Sequence, residues 1–202
     1  MGKVVVDLSM SLDGFITGPN DSVEMPLGEG GERLHDWIFG GKTDRSGSSP
    51  RQSAIEVNRA VLDEAIETTG AIVMGRRLFD IGEKPWGDEP PFQMPVFVLT
   101  HRPRETIKKG KTTFTFVTGG IGSALERAQA VAGDKDISVS AANVAQQYLQ
   151  AGLLEEIQIH LVPILLGEGR RLFEHLGTEP IELENTRVVE APGVTHLRFR
   201  VK

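Results

Sequence analysis

Between residues 71 and 152 the chain alternates short apolar runs with segments of helical periodicity. "AIVMG" (71–75) leads into "RRLFDIG". "VFVLT" (96–100) and "TTFTFVT" (112–118) precede "SALERAQAVAG", where Leu125, Ala128 and Val131 are in phase. "DISVS" (136–140) runs into "NVAQQYLQAG", which ends at Gly152. Strand-like runs separated by helices of this length predict crossover connections, and hence a parallel sheet with helices on its faces.

The flanks extend that sheet. "KVVVDLSM" (3–10) reads as a first strand feeding the turn-rich "SLDGFITGPND". "ERLHDWIF" (32–39) suits a short helix. "AIEVNRAVLDEAIETTG" (54–70) places Ile55, Val61, Leu62, Ala65 and Ile66 near one helical face, with Gly70 as its stop. "GGKTDRSGSSPRQS" (40–53) reads as the most mobile loop, and "EKPWGDEPPFQMP" (83–95) as a proline-rich connection. After "EEIQIHLVPILLG", the runs "IELENTRVVEA" and "VTHLRFRVK" follow with almost no helix between them, which predicts antiparallel pairing at the end of the sheet. With no repeat or linker, residues 1–202 are expected to form one α/β domain with a mixed sheet.

Charge narrows the function classes. The net charge of -6 argues against a general nucleic-acid or membrane-surface binder, which carries a dominant basic face. Any anion site must be local. The absence of cysteine excludes disulfides and thiolate metal sites. No membrane span or signal-type apolar run is found, so the expectation is a cytoplasmic protein.

Arg76 and Arg77 follow "AIVMG", and His101, Arg102 and Arg104 follow "VFVLT". In parallel α/β sheets ligands sit outside the carboxyl ends of strands, so neighbouring strands would join these residues into one cluster. Guanidinium forks match a phosphomonoester bidentately. The plainer alternative pairs Arg77 with Asp80 or another carboxylate. "SVSAANVAQ" and "VTGGIGS" each run from a strand into a helix through small residues, Ser140, Ala141 and Ala142 in one and Gly119, Gly120 and Ser123 in the other. Such helix starts let a pyrophosphate reach unpaired amides, although small residues there also serve capping alone. Together these features sketch a dinucleotide with an extra phosphate.

Other motifs fail on spacing. "GEGGER" ends in Arg33 and "GIGSAL" in Leu125, so no G-x-G-x-x-G occurs. "GGKT" at 40–43 lacks the first glycine of a phosphate-binding loop, where Asp36 stands. G-x-S-x-G is missing, and the histidines at 35, 101, 160, 175 and 196 lack metal-ligand spacing.

The order of "SLDGFITGPND", "AIVMGRRLFD", "PVFVLTHRP", "FTFVTGGIGSALERA", "DISVSAANVAQQYLQAGLLEEIQIHLVPILLGEGRRLF" and "THLRFRV" resembles the dihydrofolate-reductase-like family. Within it, the chain is most similar to the riboflavin-biosynthesis reductase branch, over nearly its whole length, with residues 40–53 the poorest match. The resemblance implies a three-layer sandwich with a central mixed, mostly parallel sheet, NADPH along the strand ends, and a homodimer. It implies that Gly75, Arg76 and Arg77 meet the adenosine 2'-phosphate, with Thr100, His101 and Arg102 contributing. It further implies that Ser140, Ala141, Ala142 and Asn143 hold the pyrophosphate with Gly119 and Gly120 nearby, and that the loop from Ser11 to Gly14 borders the nicotinamide. The family usually has Gly-Gly where Ser140 and Ala141 stand, and in folate reductases that pair is cis. A non-proline cis bond costs about 3 kcal/mol, so with Ser-Ala the geometry must be supported by its surroundings or differ.

Hydride transfer needs an acceptor held over nicotinamide C4 and a proton source. Asp13 is the first candidate to orient or protonate substrate, against the alternative that Asp-Gly is simply a turn pair. Asp36, on the first helix, is the second. Trp37, Phe79, Trp86 and Phe92 are candidates for a flat apolar wall, against core packing. Arg170 and Arg171 are open to three readings: solvent, a partner subunit or a substrate phosphate. Two functions follow: an NADPH-dependent reductase of a small heterocyclic or carbonyl substrate, pterin- or pyrimidine-like, or a catalytically silent NADP-binding protein that retains the fold. A third reading, a riboflavin-pathway reductase without its deaminase partner domain, is weaker.

Overall fold

The computed structural model describes residues 2–39 and 52–202, the side chains of 52–55 excepted. Its strands in chain order are β1 (Val4–Ser11), β2 (Phe15–Thr17), β3 (Thr69–Gly75), β4 (Val96–Leu99), β5 (Ile107–Lys109), β6 (Thr112–Val117), β7 (Asp136–Ser140), β8 (Glu156–Val162), β9 (Arg170–Arg171), β10 (Leu183–Ala191) and β11 (Val194–Val201). The helices are α1 (Gln52–Thr68), α2 (Arg76–Gly82), α3 (Gly120–Ala132) and α4 (Ala142–Gln150). Nine strands form one sheet in the order β10-β11-β8-β1-β7-β3-β4-β6-β5, and β2 pairs with β9 beside it. The six strands from β8 to β6 run parallel, and β5, β10 and β11 add antiparallel edges.

Alternation along the strands decides which helices cover which face. Val4, Val6, Ala71, Val73, Ile137 and Val139 pack against α3 and α4 through Ala124, Ala128, Val144 and Tyr148. The opposite set, Ile72, Met74, Val96, Val98, Phe114 and Phe116, packs on Phe79 of α2. Phe79 is fully buried, which contributes roughly 1.5–3 kcal/mol relative to leaving it in water. On the same side, toward the antiparallel edge, Leu34 and Trp37 close over Val162 and Val194.

That second face turns polar where β1, β8 and β11 meet. Register places Asp7, Gln158 and Arg198 in one row and Ser9, His160 and His196 in the next. The buried Glu156 carboxylate is held by Lys3 and by Arg198, whose Nε donates to Oε2 at 2.6 Å. Burial alone would raise its pKa; these two cations outweigh that and keep it below the ordinary carboxylate value.

Several local expectations are corrected. The segment 32–39 forms a 3-10 turn, Gly31–His35, and then irregular turns rather than an α-helix. Gly70 lies inside β3 instead of stopping α1; a Cβ there would meet the Ala132 carbonyl oxygen at 2.7 Å. Ile66 and Val131 are exposed. β5, which makes a hairpin with β6, had no strong apolar signal. Residues 40–51 of the expected mobile loop lie outside the described residues, and Gln52 opens α1.

Candidate active site

β3 and β4 are hydrogen-bonded neighbours with Gly75 opposite Leu99, so the residues that follow both strands emerge side by side. Gly75 is extended, and the chain turns at Arg76 into α2. Arg76 Nε donates to Asp80 Oδ1 at 2.7 Å one turn along, and Nη1 reaches Thr100 Oγ1 at 3.5 Å. Its guanidinium also lies 5.6 Å from the centre of the Phe116 ring. Thr100 Oγ1 accepts from the Arg102 amide at 3.0 Å and donates to the Arg102 carbonyl at 3.1 Å, which folds 100–102 into a tight turn. Arg76, Thr100, His101 and Arg102 line a cleft of about 300 Å³ together with Gly120 and Asn143.

The starts of α3 and α4 therefore open on the same cleft. Neither cap residue, Gly119 or Ala141, makes a side-chain capping hydrogen bond. Their first-turn amides are left for solvent or an anionic ligand, and the helix dipoles favour negative charge there. Ala141 is strained, with φ 95° and ψ 140°, a region that side-chain-bearing residues avoid. The Ser140–Ala141 peptide is not cis. A Cβ at position 75 would lie 3.3 Å from Val144 Cγ2 and 3.6 Å from Ala141 Cβ, so β3 passes close to α4 at Gly75.

A second cleft of about 480 Å³ continues from the first, sharing Gly75, Arg76, Asn143 and Val144 with it. It runs between α2 and the β2–β9 pair, lined further by Ile16, Asp21, Arg77, Arg170, Arg171 and Glu174. The two form one groove across the carboxyl ends of β4, β3 and β7, the place where open parallel sheets bind ligands.

The expected cluster is thus brought together in part. Arg77 leaves the first cleft and lines the second, where its Nε and Nη2 bind the Asp21 side chain and carbonyl, at 3.0 and 2.8 Å. It is Arg76, not Arg77, that pairs with Asp80. Arg104 makes two hydrogen bonds to Glu83.

Asp13 accepts from Ser11 Oγ at 2.6 Å and from the amides of Leu166 and Gly167 at 3.2 and 2.7 Å. The Ser11 bond, opposed by burial and aided by the two amides, brings its pKa down to about 2. A carboxylate so held is an anchor for the 163–169 turn and a poor proton donor near neutrality. Ser11 is fully buried and also accepts from the Phe15 amide, so it too holds the loop. Gly14 takes φ 90° in that turn, beside Arg171. Asp36 is half-buried after the 3-10 turn and is not among the groove residues.

None of the four aromatics expected as a flat wall lines either cleft, and Trp86 and Phe92 are half-buried. Phe79, Trp86 and Phe92 interlock with Phe114 beneath α2, with ring centres 5.0–6.5 Å apart. Trp37 is buried against His160 and His196, its Nε1 donating to Ser9 Oγ at 3.0 Å. Burial drives flat apolar rings into the core before it leaves them to line a wet cleft.

Asp21, Phe15, Gln146, Glu174 and His175 were not anticipated. Arg171 lies 4.3 Å from the centre of the Phe15 ring and donates to the Asp13 carbonyl at 2.9 Å. Gln146 Nε2 holds the Leu172 carbonyl at 3.0 Å, fixing β9 against α4. A signal existed: "GEGRR" follows β8, which pairs in parallel with β1, so it had to emerge at the same sheet edge as the "SLDG" loop.

Among the described residues no group of histidine and carboxylate side chains could hold a metal ion. No helix among them is long and apolar enough to cross a membrane.

Residues 2–197 match the family described as RibD C-terminal domain. A comparison with curated proteins finds no match. Among solved structures, a candidate riboflavin biosynthesis protein of Shewanella sp. PV-4 superposes with TM-score 0.72 at 22% identity, covering 100% of this chain and 99% of that one. A pyrimidine reductase-like protein of Corynebacterium diphtheriae gives 0.58 at 12% identity, over 100% and 92%. The diaminohydroxyphosphoribosylaminopyrimidine deaminase/5-amino-6-(5-phosphoribosylamino)uracil reductase of Thermotoga maritima gives 0.61 at 10%; this chain is covered fully and spans 57% of that protein. At these identities the likeness is one of fold.

Proposed function

The chain belongs to the RibD C-terminal domain family, and from that membership and the groove we propose that it is an NADPH-dependent oxidoreductase. It transfers a hydride to a small heterocyclic or carbonyl substrate, pterin- or pyrimidine-like. The observation that carries the reading is the meeting of Arg76 with the 100–102 turn at adjacent strand ends, beside two helix starts without side-chain caps.

NADPH fits this arrangement. Arg76, Thr100, His101 and Arg102 would hold the 2'-phosphate, since a guanidinium and a turn with free polar groups recognise a phosphomonoester. The starts of α3 and α4 would hold the pyrophosphate. When bound, the cofactor supplies the hydride. The second cleft would take the substrate, and its walls, α2 and β9, keep it beside the nucleotide. Of the ionisable side chains there, the exposed His175, 3.9 Å from Glu174, would be the proton donor in this reading.

One observation favours the second reading, a silent NADP-binding protein: the anchored Asp13 and the packed aromatics leave the substrate end without the proton donor and the apolar wall expected of it. The homodimer remains part of the proposal. It is supported by the edge position of β10, with Leu183 and Val188 exposed, and light scattering in solution tests it.

Nucleotide fluorescence during titration with NADPH, and separately with NADH, tests the cofactor. The reading expects binding with a clear preference for NADPH; no binding of either removes it. Turnover on a panel of ring and carbonyl compounds then separates the reductase from the silent binder.

A further inference from the structure

Asp21 stands between two arginines from opposite walls of the second cleft, Arg77 of α2 and Arg170 of β9. Arg77 donates from Nε to Oδ2 at 3.0 Å and from Nη2 to the Asp21 carbonyl at 2.8 Å. Arg170 donates from Nε to both carboxylate oxygens at 3.2 Å and from Nη2 to Oδ1 at 3.0 Å. The Nε–Nη2 edge is one with which a guanidinium grips a phosphate in bidentate fashion. On both arginines that edge is spent on Asp21.

The carboxylate is only a tenth exposed while both arginines are about half exposed, so the anion sits inside the cationic pair. Burial would raise its pKa, but the hydrogen bonds from Arg77 and Arg170 prevail and keep it below the ordinary value. The loop that carries Asp21 is closed on itself. Gly18 donates to the Leu27 carbonyl at 2.8 Å, Glu29 to that of Pro19 at 2.9 Å, and Asn20 Nδ2 to Glu29 Oε1 at 2.8 Å. A Cβ on Gly28 would come within 2.3 Å of the Gly18 oxygen. Asp21 therefore has little freedom to swing away.

We infer that Asp21 is a built-in anion that fills the Arg77–Arg170 pair and makes the cleft select substrates without a phosphate at that end. The inference rests on the reading of this cleft as the substrate side. A phosphate directed at these arginines must either displace a fixed carboxylate or sit against it, and like charges at contact distance in a half-buried site repel. A neutral heterocycle or carbonyl compound meets neither obstacle. The phosphoribosyl group in the name of the Thermotoga relative marks the substrate class that this cleft turns away.

Calorimetric titration of inorganic phosphate into Arg76→Ala and Arg76→Ala/Asp21→Asn proteins tests this, the first substitution weakening the other arginine site equally in both. Removing the carboxylate charge is expected to tighten phosphate binding about ten-fold or more, and a further Arg170→Ala to abolish the gain. No gain on Asp21→Asn overturns the proposal. So does phosphate binding with Asp21 intact that disappears on Arg170→Ala. Asp21→Ser replaces Asp21→Asn if the latter fails to fold, as judged by its melting curve. The NADPH titration reports on the parent reading independently, because this comparison depends only on Asp21, Arg77 and Arg170.

Discussion

His160 and His196 face each other Nδ1 to Nδ1 at 2.8 Å in the sheet's polar row. The far nitrogen of His160 lies 2.7 Å from Asp7 Oδ1, and that of His196 lies 3.1 Å from Asn58 Oδ1. Asn58 Nδ2 in turn donates to the Trp37 carbonyl at 3.2 Å, which fixes the amide's orientation. The chain from Asp7 to Asn58 has three gaps and is complete with one hydrogen in each.

Protonation of His196 is resisted. Burial, together with the neighbouring His160, pushes the His196 pKa down to about 4. In the unfolded chain this histidine titrates near 6.5, so the unfolded state binds the proton first as pH falls. Stability from this group is full above about pH 6.5 and is lost as pH drops toward 4. Urea midpoints between pH 4 and 7.5 should show that loss, and His196→Phe should flatten it. The same variant strands Asn58 Oδ1 and His160 Nδ1, at a cost of about 1–3 kcal/mol at pH 7.5.

Arg76 and Arg77 should separate in nucleotide titrations. Arg76→Ala removes the guanidinium beside Thr100 and should weaken NADPH about ten- to a hundred-fold, the range of one to two charge-assisted bonds, with little change for NADH. Arg77→Ala, whose partner is Asp21, should change NADPH affinity far less. Equal losses in both would contradict the division of the groove described above.

Ala141→Gly should stabilise the fold. Ala141 has φ 95° with a Cβ to accommodate, a conformation that costs of order 1–3 kcal/mol; glycine relieves it but loses some through its freer unfolded chain. A net gain of about 1 kcal/mol, read as a raised urea midpoint with unchanged slope, is the expected result. A lowered midpoint would mean that the Ala141 methyl packs better than its backbone suffers.

Asp13→Asn should leave NADPH binding unchanged but loosen the 163–169 turn. Hydrogen exchange at the Leu166 and Gly167 amides should accelerate, because a neutral amide oxygen is a weaker acceptor than the carboxylate. If turnover vanishes while those amides stay protected, Asp13 acts on substrate after all.

Phe79→Ala should behave as a core deletion. A fully buried phenylalanine replaced by alanine costs about 3–5 kcal/mol, so the variant's thermal midpoint should fall steeply. A substrate-pocket residue would instead change KM with the melting curve little altered.

The alternation of β-branched runs with helical segments was enough to establish the sheet, because periodicity 2 and 3.6 are properties of neighbouring residues and survive without tertiary information. The same logic placed Arg76 and Thr100–Arg102 at strand ends, since a residue that follows a parallel strand has one edge to emerge from. Direction lay beyond it. Which of Arg76 and Arg77 met the 100–102 turn depended on Asp21, 56 positions from Arg77 in sequence, and whether the aromatics lined a cleft depended on Phe114 arriving beneath α2. Contacts of that range are made by the assembled sheet, and no local pattern encodes them. Tertiary packing alone joined Asp7, His160, His196 and Asn58 into one hydrogen-bonded row, and brought Asp21 between two arginines from opposite walls.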